Sequence, residues 1–166
     1  SDKVLEVGCN DGALLLQLKK LGVNVFGVDP SDIALNASLK SNFKLYNNFF
    51  TKRVAEEIID EIGKVKLIVA NNMFAHLNSF DQIMEAVDFA LEKDGIFSVE
   101  VHYQPDLVEK RQFDTIYHEH TCYHNIHTLE KIVSKFGFEA FDAYKISSHS
   151  RSIHVNFSRN NKKKKS

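Results

Sequence analysis

The sequence has little cysteine, little proline and no long apolar run. Two cysteines, Cys9 and Cys122, in 166 residues do not make a disulfide-stapled secreted domain and suit a reducing compartment. No stretch approaches the ~18 consecutive apolar residues of a membrane-spanning helix, so no membrane partner is expected. The chain opens on the polar Ser1-Asp2-Lys3 and passes straight into a strand pattern, without the features of a signal peptide, and a cytoplasmic protein is expected. Only Pro30 and Pro105 punctuate it, and there is no internal repeat or linker. An excess of charge of one sign is also missing: 21 Lys+Arg stand against 22 Asp+Glu. Four of the positive charges form the terminal lysine run 162–165, which reads as a tail. The remaining body is mildly acidic, and this argues against nucleic acid as a partner, because phosphate binding draws on a basic face. What is present is ordinary globular composition, 43% hydrophobic and 26% charged, and enough chain for one domain with one core.

Val4-Leu5-Glu6-Val7 predicts a strand, stopped by Gly8 and Gly12. A helix is expected over 13–21, ended by Gly22, then a strand over 23–28 that closes at Asp29-Pro30-Ser31. Ser31 or Asp32 can cap a helix to about residue 40, and 43–46 suggests a third strand. Apolar residues at 54, 55, 58, 59 and 62 have helical spacing. A buried-type strand follows at 66–70, then an amphipathic helix over 80–91 ended by Lys93-Asp94-Gly95, and a strand over 96–101. A helix over 128–136, capped by Thr128 and stopped by Gly137, precedes a closing antiparallel pair at 138–146 and 152–157. Strands alternating with helices at this spacing specify an α/β fold with a doubly wound, mostly parallel sheet and a terminal antiparallel pair. The expected domain is 1–158, with 159–166 as tail. Such a sheet is normally covered on both faces, yet no helix precedes the first strand. The chain is therefore expected to be part of a longer protein, with an apolar patch where that helix would lie.

Glu6-Val7-Gly8-Cys9-Asn10-Asp11-Gly12 joins the first strand to the first helix, the place where open α/β sheets bind ligands. A dinucleotide fingerprint would need glycine at 10 and 13; Asn10 and Ala13 stand there, which disfavours NAD or FAD. Polar Asn10 and Asp11 suit a ligand bearing an ammonium and a carboxylate, as S-adenosylmethionine does. Asp29, 21 residues beyond Gly8, is placed to accept ribose hydroxyls. The candidate cofactor-binding set is Glu6, Gly8, Asn10, Asp11, Gly12, Asp29 and Pro30, with Asn71 and Asn72 at the end of the fourth strand. The alternative is a merely structural turn, since Gly-x-x-x-Gly is common and Asp before Pro is a turn former.

All eight histidines lie at or after position 76. The densest chemistry is Tyr117-His118-Glu119-His120: an imidazole that can take a proton near neutral pH, a carboxylate that can orient it, and a phenol that can donate to an oxyanion. His118, His120, Cys122, His124 and His127 could instead ligate zinc, but their spacing matches no standard zinc signature, and no metal is expected. Solvated loop histidines are the third reading. His76, just beyond the fourth strand, faces the same cleft as the glycine turn or simply enters a helix.

Four motifs in order, Glu-Val-Gly-x-Asn-Asp-Gly at 6–12, Gly-Val-Asp-Pro-Ser at 27–31, Ala-Asn-Asn-x-Phe-Ala-His at 70–76 and Phe-Asp-Thr-Ile-Tyr-His-Glu-His at 113–120, resemble those of the sugar-nucleotide C-methyltransferases of deoxysugar biosynthesis. The resemblance runs from residue 3 to about 157, and Tyr-His-Glu-His is its specific part. It implies a class I S-adenosylmethionine-dependent methyltransferase domain with a Rossmann-like sheet, flanked in the family by an N-terminal zinc-binding domain and a C-terminal domain that helps hold the nucleotide sugar. It implies methylation of a nucleotide-linked 4-keto deoxysugar at the carbon beside the ketone, through an enolate. Tyr117, Glu119 and His120 would sit at the reacting carbon, with His76 nearby; Asn10 and the glycine turn would hold the methionine end of the cofactor, and Asp29 the ribose. On this reading His120 is the general base, Tyr117 stabilises the enolate oxygen, and Glu119 orients a histidine or binds a sugar hydroxyl. In a regular strand Tyr117 and Glu119 would face away from His120, so an irregular segment is expected there. The family usually has proline at the position of His102, and His-Gly-Gly-Ser where this chain has His149-Ser150-Arg151-Ser152. Two rival classes are an O- or N-methyltransferase acting on another small molecule, and a cofactor-binding domain inactive without its neighbours.

Overall fold

The computed structural model describes residues 2–74, 77, 79–109, 111, 122–146 and 152–160. In chain order the elements are β1 (Lys3–Val7), α1 (Ala13–Lys20), β2 (Asn24–Val28), α2 (Asp32–Ser41), β3 (Lys44–Tyr46), α3 (Lys52–Ile62), β4 (Val65–Asn71), α4 (Phe80–Ala90), β5 (Leu91–His102), α5 (Gln104–Glu109), α6 (Ile126–Ser134), β6 (Phe138–Lys145) and β7 (Ser152–Arg159). The strands form one sheet in the order β3-β2-β1-β4-β5-β7-β6. β1 to β5 pair in parallel, and β7 inserts antiparallel between β5 and β6. This is the doubly wound sheet with a closing antiparallel pair that the alternation implied. The winding reverses between β1 and β4, which opens a crevice at the carboxyl ends of those strands.

One face of the sheet carries the main core. Leu5, Ile68, Phe97 and Phe157 share this side by register, and they pack with Ala55 and Ile58 of α3, Met84 and Val87 of α4, and Leu129 and Val133 of α6. Each large apolar side chain buried here contributes roughly 1.5–3 kcal/mol. The opposite face is covered over β1 and β2 by a smaller cluster in which Leu15 of α1 and Ala34 of α2 meet Val25, Cys9 and Phe43. On β5, β7 and β6 that same face carries a polar network. Ser98 Oγ donates to Asn156 Oδ1 at 2.7 Å and lies 2.5 Å from His154 Nε2. Asn156 Nδ2 donates to Asp142 Oδ2 at 3.2 Å, and Tyr144 stacks on His154. No helix of the described residues is long and apolar enough to cross a membrane.

Three of the differences from the sequence reading have a local reason. α6 starts at Ile126 because Asn125, not Thr128, is the N-cap: Asn125 Oδ1 accepts from Thr128 N at 2.9 Å, and Thr128 Oγ1 accepts from Asn125 N at 3.0 Å. α4 passes directly into β5, with buried Leu91 pairing with Val65. Gly95 permits this, since a Cβ there would lie 2.7 Å from Leu91 Cγ. α5 was not anticipated; it is only six residues long, with Pro105 in its first turn.

The last residue of β7 ties the sheet edge to α4. Arg159 pairs with the Asp88 carboxylate, donates to the carbonyls of Asp88 at 2.7 Å and Leu91 at 3.3 Å, and lies over the Phe138 ring. Arg159→Ala should lower the unfolding free energy by about 1.5–3 kcal/mol, the scale of hydrogen bonds to a charged group, and Arg159→Lys should recover only part of it because the fork is lost. Urea denaturation measures this; an unchanged midpoint in Arg159→Ala would contradict it.

Candidate functional site

The turn after β1 is held by backbone geometry. Gly8 N donates to Val28 O at 2.8 Å, and Gly12 N donates to Cys9 O at 2.8 Å. Asn10 adopts a left-handed conformation (φ 47°), which asparagine tolerates, and this aims its N–H at Asp29 Oδ2 at 2.9 Å. Ser31 N donates to Asp29 Oδ1 at 2.8 Å, and Asn47 Nδ2 donates to Asp29 O at 2.9 Å. Asp29 is thus the post around which the β1–α1 and β2–α2 turns are wrapped. Each of its carboxylate oxygens still has a lone pair for a ligand hydroxyl. Asp11 Oδ1 accepts from Ala13 N at 3.1 Å and braces the first turn of α1. Gly12 is required where it stands: its φ is 71°, and a Cβ would fall 2.5 Å from the Phe43 ring.

The carboxyl groups of Glu6, Asp11 and Asp29 share this turn. Glu6 is only 6% exposed, and burial, then the negative charges of Asp11 and Asp29, push its pKa up to about 7. Burial and the Asp29 and Glu6 charges push the Cys9 thiol up to about 12, so it is an inert packing group. Two buried side-chain oxygens among the described residues have no hydrogen-bond partner, Glu6 Oε2 and Asn71 Oδ1. Glu6 pairs in register with Val69, so Asn71, two residues further along β4, points to the same face of the sheet. The two orphaned acceptors therefore flank the crevice at the winding reversal, and acceptors left without donors in a buried site suit a cationic donor.

A cavity of about 620 Å³ opens at the ends of β1 and β2. Val7, Gly8, Val28, Asp29 and Pro30 form its inner wall; Asn48, Phe49, Phe50, Met73, Leu77 and Ile83 form an apolar slot around it. Phe49 is 70% exposed at the rim. Such a slot beside a carboxylate suits a flat aromatic ring joined to a hydroxylated sugar.

Of the sequence candidates, Gly8, Asp29 and Pro30 line this cavity; Glu6 and Asn71 are not in its lining and carry the two orphaned acceptors; Asn10, Asp11 and Gly12 shape the turn. Asn72, exposed and left-handed (φ 54°), ends β4 by donating to Glu100 O at 2.8 Å. The four catalytic candidates His76, Tyr117, Glu119 and His120 lie outside the described residues. The slot formed by Phe49, Phe50, Met73 and Leu77 was missed. Its one sequence signal is a pair of aromatics placed just after a strand, ahead of the Thr51 cap of α3. Of the remaining histidine cluster, His124 is buried against Phe74 and Phe80, with Cys122 Sγ 3.2 Å from its Nε2, and burial holds its pKa below the usual range.

A family model described as a methyltransferase domain matches residues 1–142, and the chain belongs to that family. Among relatives, the C-methyltransferase NovU of Streptomyces niveus is 33% identical over 154 residues, which are 93% of this chain and 37% of that protein. The mitochondrial ubiquinone biosynthesis O-methyltransferase of Homo sapiens is 28% identical over 145 residues, 80% of this chain and 37% of that protein. The chain spans well under half the length of these curated relatives. Among solved structures, magnesium protoporphyrin IX methyltransferase from Synechocystis with bound S-adenosylhomocysteine superposes with a TM-score of 0.69 at 15% identity, covering 94% of this chain and 73% of that one. A TehB-like S-adenosylmethionine-dependent methyltransferase from Corynebacterium glutamicum gives 0.68 at 17% identity, covering 95% and 80%. The fold is that of class I methyltransferases, and the domain belongs to the methyltransferase-domain family.

The raised Glu6 pKa has a consequence for stability. The folded protein holds the Glu6 proton up to about pH 7, whereas the unfolded chain releases it near 4.5. Folding is therefore favoured below that window and loses free energy as pH rises through it, by about 3 kcal/mol from this group. Glu6→Gln should flatten the stability profile between pH 5 and 8 and, without ligand, be more stable than the wild type at pH 8. Urea titrations at both pH values measure this, and identical profiles for the two proteins would contradict it.

Proposed function

We propose that this domain methylates carbon, at the position beside the ketone of a nucleotide-linked 4-keto deoxysugar, through an enolate. The observation that carries this reading is the Tyr117-His118-Glu119-His120 motif in a chain 33% identical, over 93% of its length, to a protein named as a C-methyltransferase. Bound S-adenosylmethionine supplies an electrophilic sulfonium methyl. Asp29, holding its turn with one lone pair of each oxygen, offers the others to the ribose hydroxyls. Pro30, Phe49, Phe50 and Met73 take the adenine. Gly8 to Gly12 receive the methionine end, with the Glu6 and Asn71 acceptors toward its ammonium.

On the substrate side, His120 accepts the proton from the carbon beside the ketone. Tyr117 donates a hydrogen bond to the oxygen on which negative charge then accumulates. Glu119 orients an imidazole or binds a sugar hydroxyl, and the family resemblance assigns His76 a place near the reacting carbon. The protein's main contribution to the transfer is to hold nucleophile and methyl in line. Two cysteines outside any disulfide and a carbohydrate substrate of metabolism suit the cytoplasm. A second reading, methylation of an oxygen, is favoured by the ubiquinone biosynthesis O-methyltransferases, 27–28% identical over 80% of the chain.

The two readings differ in whether a C–H bond is broken before transfer. In the full-length protein, His120→Ala should cut turnover by roughly 10²–10⁴-fold, the usual worth of a general base, and leave cofactor affinity nearly unchanged. Deuterium exchange at the carbon beside the ketone, followed without methyl donor, should slow in parallel. Exchange at the wild-type rate in His120→Ala would remove His120 as the base, and an active enzyme showing no exchange on any 4-keto nucleotide sugar would favour oxygen as the acceptor.

A further inference from the structure

Glu6 is a carboxyl with nothing to neutralise it. One of its oxygens is buried without a hydrogen-bond partner, on the same sheet face as the equally orphaned Asn71 Oδ1. Among the described residues its surroundings supply no cation. From the turn come Asp11, negative, and the Cys9 thiol, which burial keeps protonated. From the end of β2 comes Asp29, also negative, and opposite Glu6 on that strand stands Gly27, covered by Leu15 of α1. From β4 come Val69 and Asn71, neither of which titrates. Among the described residues the charges acting on Glu6 are repulsive, and burial with them pushes its pKa up to about 7.

From this arrangement we infer that entry of an ammonium-bearing methyl donor or its product is coupled to ionisation of Glu6, so that a proton leaves the site as the cation arrives. The inference rests on the cofactor placement of the preceding section. The O–H bond of the Glu6 carboxyl breaks, its proton passes to the solvent buffer, and the ligand ammonium keeps all of its own protons. The orphaned oxygen, now anionic, gains the opposite charge it lacks, and the desolvation that opposed ionisation is offset by the ion pair. Asn71 Oδ1 accepts a further N–H of the same ammonium. Binding then strengthens as pH rises from 6 to 7.5, because below about 7 the proton must first be expelled.

The test is calorimetric titration of the chain with S-adenosylhomocysteine, in phosphate and in Tris, from pH 6 to 7.5. Its control ligand is 5′-methylthioadenosine, which keeps the adenosine and sulfur but has no ammonium or carboxylate. The enthalpy difference between buffers counts protons. Close to one proton should be released per S-adenosylhomocysteine at pH 6, fewer at pH 7.5, and none for 5′-methylthioadenosine. The S-adenosylhomocysteine affinity should rise by several-fold to tenfold per pH unit below 7. Glu6→Gln, isosteric and checked for folding by retained 5′-methylthioadenosine binding, should abolish both the release and the slope. Buffer-independent enthalpies with intact binding, or release that persists in Glu6→Gln, would overturn the inference and leave the cofactor placement standing. Failure of both ligands to bind the wild-type chain would overturn the cofactor placement and the inference with it.

Discussion

The rest of the structure depends on the Asp29 carboxylate, which gathers two turns onto one side chain. It accepts the Asn10 N–H from the β1–α1 turn and the Ser31 N–H from the β2–α2 turn, and it is 8% exposed. Without that acceptor the left-handed Asn10 would have no reason to turn its N–H inward, and α1 would lose its fixed start. The Gly12 contact with Phe43 and the Gly27 contact with Cys9 then press the turn onto the sheet with no room for a Cβ. The cost of this arrangement is electrostatic. Drawing Asp29 in beside Asp11 and Glu6 concentrates negative charge where the sheet reverses its winding, and Glu6 responds by holding its proton. A site under that strain is receptive to a positively charged ligand before any ligand is present.

Much of the fold was legible in the sequence because its signals are local. Val4-Leu5-Glu6-Val7 and the run at 66–70 are strands bounded by turn formers, and Ser31 caps α2 as expected, whereas α6 ends at Ser134, three residues ahead of Gly137. Where the reading slipped, two local signals competed. Thr128 looks like an N-cap, but it is the third-turn-position partner of Asn125 in a capping box, and only the reciprocal bonds distinguish the roles. The passage of α4 straight into β5 was hidden by Lys93-Asp94-Gly95, which reads as a stop, although Gly95 is there to admit the Leu91 side chain.

The site was legible in part. Asp29 is recognisable from its place at the end of a second strand ahead of proline. Asn10 was selected for its side chain, yet what the structure uses is its backbone. The isolation of Glu6 is a tertiary fact: nothing in Glu-Val-Gly says that its oxygen will be buried with only negative neighbours. The apolar slot draws Phe49 from the β3–α3 connection and Met73 and Leu77 from the β4–α4 connection, so no short window of sequence contains it. The polar face of β5, β7 and β6 was missed for a related reason. Ser98, His154 and Asn156 become neighbours only through register across antiparallel strands.

The account's central claim is that the crevice between the ends of β1, β2 and β4 is where the methyl donor sits. Amide NMR of the ¹⁵N-labelled chain, titrated with S-adenosylhomocysteine, tests it most directly. The claim predicts that shifts concentrate at Gly8 to Gly12, at Asp29 and Ser31, at Asn48 to Thr51 and at Asn71 to Met73, with α6 and the outer turns of α2 unmoved. Saturable shifts centred instead on the hollow between α6 and β6, around His127, Glu130 and Glu139, would contradict it.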